Sequence, residues 1–524
     1  MVGITTVVFR WLSIEIFSND HFDHVARARQ VMLGDWPVRD FVDPGLPLMY
    51  LLSAAVQALI GSPLLAEALI FASGLAVAAA LSFRAAALAA GSVTVALFAV
   101  MLQVGAYPRS YNYPKLLVYA LAVTVGWWAV DRLSTARLAA LAAITAASYY
   151  YRHDHGIYVG LGAVVLIAVH LWPLGARRVG RIVVAYAGLV LLLLLPHLAY
   201  VQYHSGLARY FAVGVDYSRA EAAINPGEAP LFGLDGGLAN SLPFLFWLCW
   251  VMPLAGVVLL RHGEAATATR MRAEAPKIAM VIALAVAVNL GFVRSPVVSR
   301  LPDVAVPHTI LGAWLLAALW RRSAAVRGRA AIRVALVACA ALTVVSVDAA
   351  FGTREHVRRT GLWMSPGELV RRLHEVADDL REEAPELLPG TAQQLAPFLA
   401  YVRECTADDD RLLFVGYEPE LFVIARRGFA GGHMMFFGQF NAAPQDQALT
   451  VQRLARESVP FVLMPSANHV AFRNVFGEVA RYVDANYRLM TSIGGDGEAI
   501  DVLVERSRPP AASLHPPTGW PCFR

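Results

Sequence analysis

Phe17-Ser-Asn-Asp-His-Phe-Asp-His-Val-Ala-Arg-Ala-Arg-Gln-Val-Met-Leu-Gly-Asp-Trp-Pro-Val-Arg-Asp-Phe-Val-Asp-Pro-Gly-Leu-Pro-Leu48 is the stretch on which the reading of this chain turns. It holds Asp20, His21, Asp23, His24, Arg27, Arg29, Asp35, Arg39, Asp40 and Asp43, with apolar sequence on either side. Ionisable side chains at this density cannot face lipid, where each costs several kcal/mol. They need water, one another or a substrate. The segment therefore reads as a first external loop, residues 18–45, forming the floor of an active site at a membrane face.

The rest of the chain supplies the membrane. Of 524 residues, 57% are hydrophobic and only 16% charged, against about 25% charged in soluble domains; the mean hydropathy is +0.52. The net charge of +5 comes largely from arginines in short loops, a topological signal rather than a nucleic-acid surface. Four cysteines are too few for a disulfide framework, and no CxxC or Cys/His zinc spacing occurs. Cys249 and Cys339 fall in apolar segments. Cys405 and Cys522 are expected as free thiols, with a disulfide as the alternative. The N-terminus shows neither a basic region nor a small-residue cleavage site, so no cleavable signal peptide is expected.

The first apolar segment, Val2 to Phe17, spans only about 24 Å as a helix against a ~30 Å hydrocarbon core. Further segments lie at roughly 46–60, 64–83, 91–106, 115–130, 138–150, 156–172, 182–202, 241–260, 278–293, 308–320 and 334–347. They predict an α-helical polytopic bundle of about 11–13 spans within residues 1–347. Basic loops at Arg177-Arg178-Arg181, Arg261 to Lys277 and Arg321 to Arg333 belong on the cytoplasmic side. Loops 149–155, 204–240 and 294–307 then lie outside, with everything after about Asp348. Alternation closes at the N-terminus only if one short early segment is re-entrant or incomplete.

Residues 348–524 read as an external (periplasmic) α/β domain. Ser365-Pro-Gly-Glu368 is a capping box opening a helix to about Arg381. Strands are expected at 411–416, 460–464, 488–492 and 499–504, the last two around the Gly494–Gly497 turn. Helices around 446–457 and 470–486 separate them. Asp408-Asp-Asp410 reads as a solvated turn, and Arg426-Arg-Gly-Phe-Ala-Gly-Gly432 as a loop without phosphate-loop spacing, placed to cap a vestibule.

The candidate chemistry starts with Asp20, Asp23 and His24, which one helical face would carry together. Such a carboxylate serves as general base on a hydroxyl or amine, with His21 and Asp23 as catalytic neighbours. A divalent metal held by Asp20, Asp23 and His24 is an open alternative, as is a merely solvated juxtamembrane helix. Three other loops of the same face carry cations. Tyr107 to Lys115 holds Arg109 and Lys115, Tyr149 to His155 holds Arg152 and Asp154, and Arg294 to His308 holds Arg294, Arg300, Asp303 and His308. Converging guanidinium and ammonium groups suit a phosphate or diphosphate leaving group. Each alone has a plainer reading: an arginine snorkelling to headgroups, or Arg300 paired with Asp303.

Asp20, followed by Ala28, Met32, Gly34-Asp35-Trp36 and Pro44-Gly-Leu-Pro-Leu48, resembles the first external loop of GT-C glycosyltransferases of the protein O-mannosyltransferase and lipid A aminoarabinose transferase group. In that group the loop opens with Asp-Glu and ends in Pro-Pro-Leu. Here His21 replaces the Glu, and Leu-Pro-Leu the final motif. The resemblance implies a GT-C-like bundle with an external C-terminal domain and a polyprenyl-phosphate-linked sugar as donor. It implies Asp20 as base, and an envelope lipid, glycan or protein as acceptor. The chain would sit in the plasma (inner) membrane. Metal dependence, and whether His21 or Asp23 replaces the missing Glu, stay open. Two other classes compete. A multi-span transporter would show internal repeats, and none is visible. A non-enzymatic scaffold with an external binding domain needs no acid loop facing several cationic ones.

Overall fold

The computed structural model describes residues 1–524 apart from 225–227, 234–235, 262–267, 294–296, 325–327, 495–498, 512 and 524. Long apolar runs leave their backbone only one way to satisfy itself in lipid, which is the helix. Among the described residues eight helices are long and apolar enough to cross a membrane: Pro63–Ala90, Ser110–Asp131, His153–Leu174, Ala176–His204, Gly237–Arg261, Glu274–Val293, Val298–Ser323 and Arg329–Phe351. Val2–Leu12, Pro47–Ile60 and Val93–Gly105 are shorter apolar helices. The chain is an integral, multi-pass membrane protein. The opening segment is shorter than its apolar run: the helix stops at Leu12 and covers 11 residues, about half the hydrocarbon thickness. Its Arg10 is buried, donating from Nη2 to the Pro108 carbonyl at 2.9 Å and stacking over the Tyr107 ring.

Contacts divide the chain into two compact units. The first comprises Met1–Ile14, Leu69–Ala199 and Asn225–His374 and is helical throughout its described length. Small residues let its helices approach closely. Ala86, Ala90, Ala96, Ala99, Ala313 and Ala317 form one buried seam. Gly291 leaves room for Tyr158, whose hydroxyl would lie 2.7 Å from a Cβ at that position. The capping box forms as expected: Ser365 donates from N and Oγ to Glu368 Oε2 at 3.2 and 3.0 Å.

The second unit comprises Glu15–Ala68, Tyr200–Ile224 and Glu375–Arg524. Its centre is a five-stranded sheet of β1 (Arg411–Phe414), β2 (Gly428–Phe429), β3 (Phe461–Pro465), β4 (Tyr487–Ile493) and β5 (Ile500–Glu505), ordered β2-β1-β3-β5-β4. β1 runs parallel to β2 and β3, whereas β5 is antiparallel to β3 and β4. The central β3 is buried on both faces, while β5 alternates buried and half-buried residues, as edge-ward antiparallel strands do. β2 falls where the sequence suggested a capping loop. A two-residue strand carries too little pattern to be read. The expected turn at Gly494–Gly497 lies mostly outside the described residues.

Two more corrections belong here. Residues 204–240, expected as loop, contain the helix Leu207–Ile224, which is too polar to register as an apolar span. Cys405 and Cys522 form a disulfide rather than standing as free thiols. The C-terminal tail returns to the Ala396–Cys405 helix, with Phe523 N donating to the Cys405 carbonyl at 2.8 Å and the Tyr401 hydroxyl to the Pro521 carbonyl at 2.6 Å. A separation of 117 residues hides that return from the sequence.

Candidate functional site

In the second unit the opening stretch forms the helix Asn19–Met32. Asp20 lies in its first turn, exposed, where the helix dipole favours a carboxylate. The Tyr417 hydroxyl, from the segment following β1, reaches toward Asp20 Oδ1 at 3.5 Å. Asn19 Nδ2 faces Glu418 Oε2 at 3.4 Å. Burial, reinforced by Asp23 and Asp20, raises the Tyr417 phenol well above its ordinary value, so Tyr417 is a neutral donor here.

The neighbours assigned to Asp20 by sequence have other engagements. Asp23 is buried and accepts from Arg27 Nη2 at 3.2 Å. Burial lifts its carboxyl above the usual range against the pull of Arg27. His24 lies 3.8 Å from Asp23 on its far oxygen. His21 is buried, with Nε2 3.0 Å from Glu67 Oε2; Glu67 also accepts from Ser53 Oγ, and Ser53 from Gln57 at 2.9 Å. This network ties the loop helix to Pro47–Ile60. Among the described residues no three His, Cys, Asp or Glu side chains converge as a metal-binding group, so Asp20, Asp23 and His24 do not gather around one point.

The family-like turn has a structural cause. Gly34 takes φ +94°, which L side chains rarely adopt. Gly34 N and Asp35 N then donate to Val31 O and Gln30 O, closing the helix. Asp35, released by that turn, pairs with Arg411 of β1 at 2.7 Å. Gln30 Nε2 donates to the Phe429 carbonyl of β2 at 2.9 Å. Gly34-Asp35 thus fastens the loop to the sheet. Asp43, which sequence reasoning left without a role, accepts from the N–H groups of Gly45 and Leu46 and from the Tyr210 hydroxyl at 2.9 Å.

In the first unit the three cationic segments meet. Lys115, Arg152, Asp154, Arg300 and Asp303 line one cavity of about 290 Å³, with Tyr119, His155, Tyr158 and Gly291. Lys115 Nζ pairs with Asp303 Oδ2 at 2.5 Å. Arg152 Nε pairs with Asp154 Oδ1 at 3.0 Å, and the His155 N–H donates to the same carboxylate at 2.9 Å. His155 shares a 2.5 Å hydrogen bond with Tyr119, a residue that nothing in the sequence marked. Three cations and two carboxylates leave the lining net positive, with Arg152 offering its remaining guanidinium edge.

Two expected members are elsewhere. Arg109 is exposed and donates to the Tyr111 hydroxyl at 3.3 Å. His308 is buried between two carbonyls, Val304 O at 2.7 Å and Cys249 O at 2.9 Å, an engagement that removes it from phosphate binding. Arg294 lies outside the described residues. His308 instead borders a second cavity of about 310 Å³, lined almost wholly by apolar side chains such as Phe98, Leu245, Met252, Leu316 and Phe351. Val304 lines both cavities, so the polar and apolar chambers abut along Val298–Val304.

No family model matches the chain, and no curated protein matches it. Solved structures do. ArnT from Cupriavidus metallidurans bound to undecaprenyl phosphate superposes with a TM-score of 0.53 at 13% identity, over 97% of each chain. The apo state of the same protein gives 0.50 at 13% identity, over 95% of this chain and 96% of that one. The oligosaccharyltransferase of Archaeoglobus fulgidus, complexed with zinc and sulfate, gives 0.51 at 12% identity, over 96% of this chain and 73% of that one. At such identities the likeness is one of fold, shared over nearly the whole of this chain.

Proposed function

We propose that this chain is a membrane glycosyltransferase, moving a hexosyl or pentosyl group from a polyprenyl-phosphate carrier to an envelope lipid, glycan or protein on the external face. One observation carries the reading: a cation-lined cavity of about 290 Å³ abutting an apolar one of about 310 Å³ at Val304. An amphiphile with a phosphate head and an isoprenoid tail has that division of chemistry. The crystallised ArnT of the same fold holds undecaprenyl phosphate, which supports the assignment.

The roles follow from charge. Asp20 accepts the acceptor's proton or orients its lone pair, and the acceptor atom bonds to the anomeric carbon as the sugar–phosphate C–O bond breaks. The phosphate leaves with that electron pair. Lys115, Arg152 and Arg300 stabilise the charge it gains, and fixed donors of this kind act most where charge develops. Inversion at the anomeric carbon is the stereochemical consequence of a single displacement.

A photoreactive polyprenyl phosphate tests the donor site. Cross-linking should fall on the Val93–Gly105 and Ala305–Ser323 helices and be competed by undecaprenyl phosphate. Labelling confined to other segments would remove the two-chamber site from the account.

A further inference from the structure

A third cavity, of about 190 Å³, lies in the second unit between the Pro37–Asp43 turn, the start of the Leu207–Ile224 helix and the Pro444–Leu454 helix. We infer that it binds an acidic sugar, a ring bearing a carboxylate or phosphate, as part of a glycan acceptor. The word acceptor rests on the proposed transferase function, whereas the binding does not.

The charges of the lining decide the ligand class. Arg39 pairs with Asp40 at 2.6 Å, and Arg209 with Asp446 at 3.0 Å. Asp43 is occupied by two backbone N–H groups and Tyr210. Arg453 is different. It is half-buried, donates only to the Arg39 carbonyl at 3.2 Å, and forms no ion pair among the described residues. Burial lowers its guanidinium from the ordinary value even against the nearby Glu457, Asp40 and Asp35 carboxylates, so a further anion at this edge would stabilise its charge. Room for it is built in: a Cβ on Gly432 would fall 2.0 Å from its Nη1.

The remaining lining suits a sugar ring. The Asn441 side chain makes no hydrogen bond among the described residues and offers both a donor and an acceptor to hydroxyls. The Arg209–Asp446 pair presents a planar donor beside a planar acceptor, a match for vicinal hydroxyls. An oxyanion on the ring then completes Arg453, as bidentate Arg–carboxylate and Arg–phosphate pairs do.

The test is a titration of the full-length protein in neutral-lipid nanodiscs with glucuronate, glucose and inorganic phosphate, followed by saturation-transfer NMR and calorimetry. Glucuronate should bind at least tenfold more tightly than glucose or phosphate. Arg453→Gln should lower its affinity at least tenfold. So should Asn441→Asp, which adds a negative charge at a position with φ +54° that Asp tolerates. Equal binding of glucose, equal binding of phosphate, unchanged affinity in both variants, or no glucuronate binding would each overturn the inference. Undecaprenyl phosphate binding, measured on the same samples, reports on the transferase reading separately. Its loss would sink that reading and leave the pocket standing.

Discussion

Lys115 and Asp303 give the sharpest test of what the polar cavity is for. Their side chains are 15% and 13% exposed and 2.5 Å apart, and Asp303 Oδ1 has no further partner among the described residues. Lys115→Ala strands the Asp303 carboxylate. Removing one member of a buried pair costs about 3–5 kcal/mol, and the residual solvent contact favours the lower end, about 3 kcal/mol. If Lys115 also stabilises the departing phosphate, the barrier to transfer rises by about 3–4 kcal/mol, a rate loss of roughly 10²–10³. The double variant Lys115→Ala with Asp303→Asn separates the two effects. It removes the stranded charge, so thermal stability in nanodiscs should return close to wild type. Donor affinity and turnover should stay down. A double variant that regains both would make the pair structural and refute a phosphate role for Lys115.

Other expectations follow from the same structure. Asp20→Asn should abolish transfer while leaving insertion and melting temperature unchanged, checked by turnover beside thermal unfolding; wild-type turnover would take Asp20 out of the mechanism. Asp23→Ala should instead destabilise by about 3 kcal/mol by stranding buried Arg27, and Asp23→Ala with Arg27→Met should recover most of it in denaturation. Burial pushes His433 down to about 4, so the unfolded chain protonates first as pH falls from about 6.5. That contribution is fully present above pH 6.5 and lost as pH falls toward 4, worth at most about 3 kcal/mol; the melting temperature of His433→Gln should fall less between pH 7.5 and 5 than that of wild type. Reduction of Cys405–Cys522, or Cys405→Ser, should cost about 2–4 kcal/mol, because the bridge closes a long loop; an unchanged melting temperature under reductant would exclude that contribution.

Much of this was legible in the residues. Each apolar run predicted a helix, because backbone satisfaction in lipid leaves no alternative, although the bounds moved by as much as ten residues, as where 278–293 became Ala268–Val293. Gly34-Asp35 was readable as a turn, but not as the anchor to Arg411, a residue hundreds of positions away. The cationic loops could be suspected as a group since charge at a membrane face needs a reason; which of their members meet could not. Lys115, Arg152 and Arg300 line one cavity, while His308 lies between carbonyls that only the fold supplies. Tyr119 lies within an apolar helix, where one hydroxyl carries no pattern. The disulfide, the β2 strand and the Arg453 pocket are products of long-range contact, which periodicity does not encode.

The most direct measurement is transfer by the purified protein in liposomes carrying an undecaprenyl-phosphate sugar and an envelope extract as acceptor. Mass spectrometry would follow free undecaprenyl phosphate and the glycosylated acceptor together. The account predicts that both appear in equal amounts with wild type and that neither appears with Asp20→Asn or with Lys115→Ala paired with Asp303→Asn. Undecaprenyl phosphate released without a glycosylated product, or equal product from all three proteins, would contradict it.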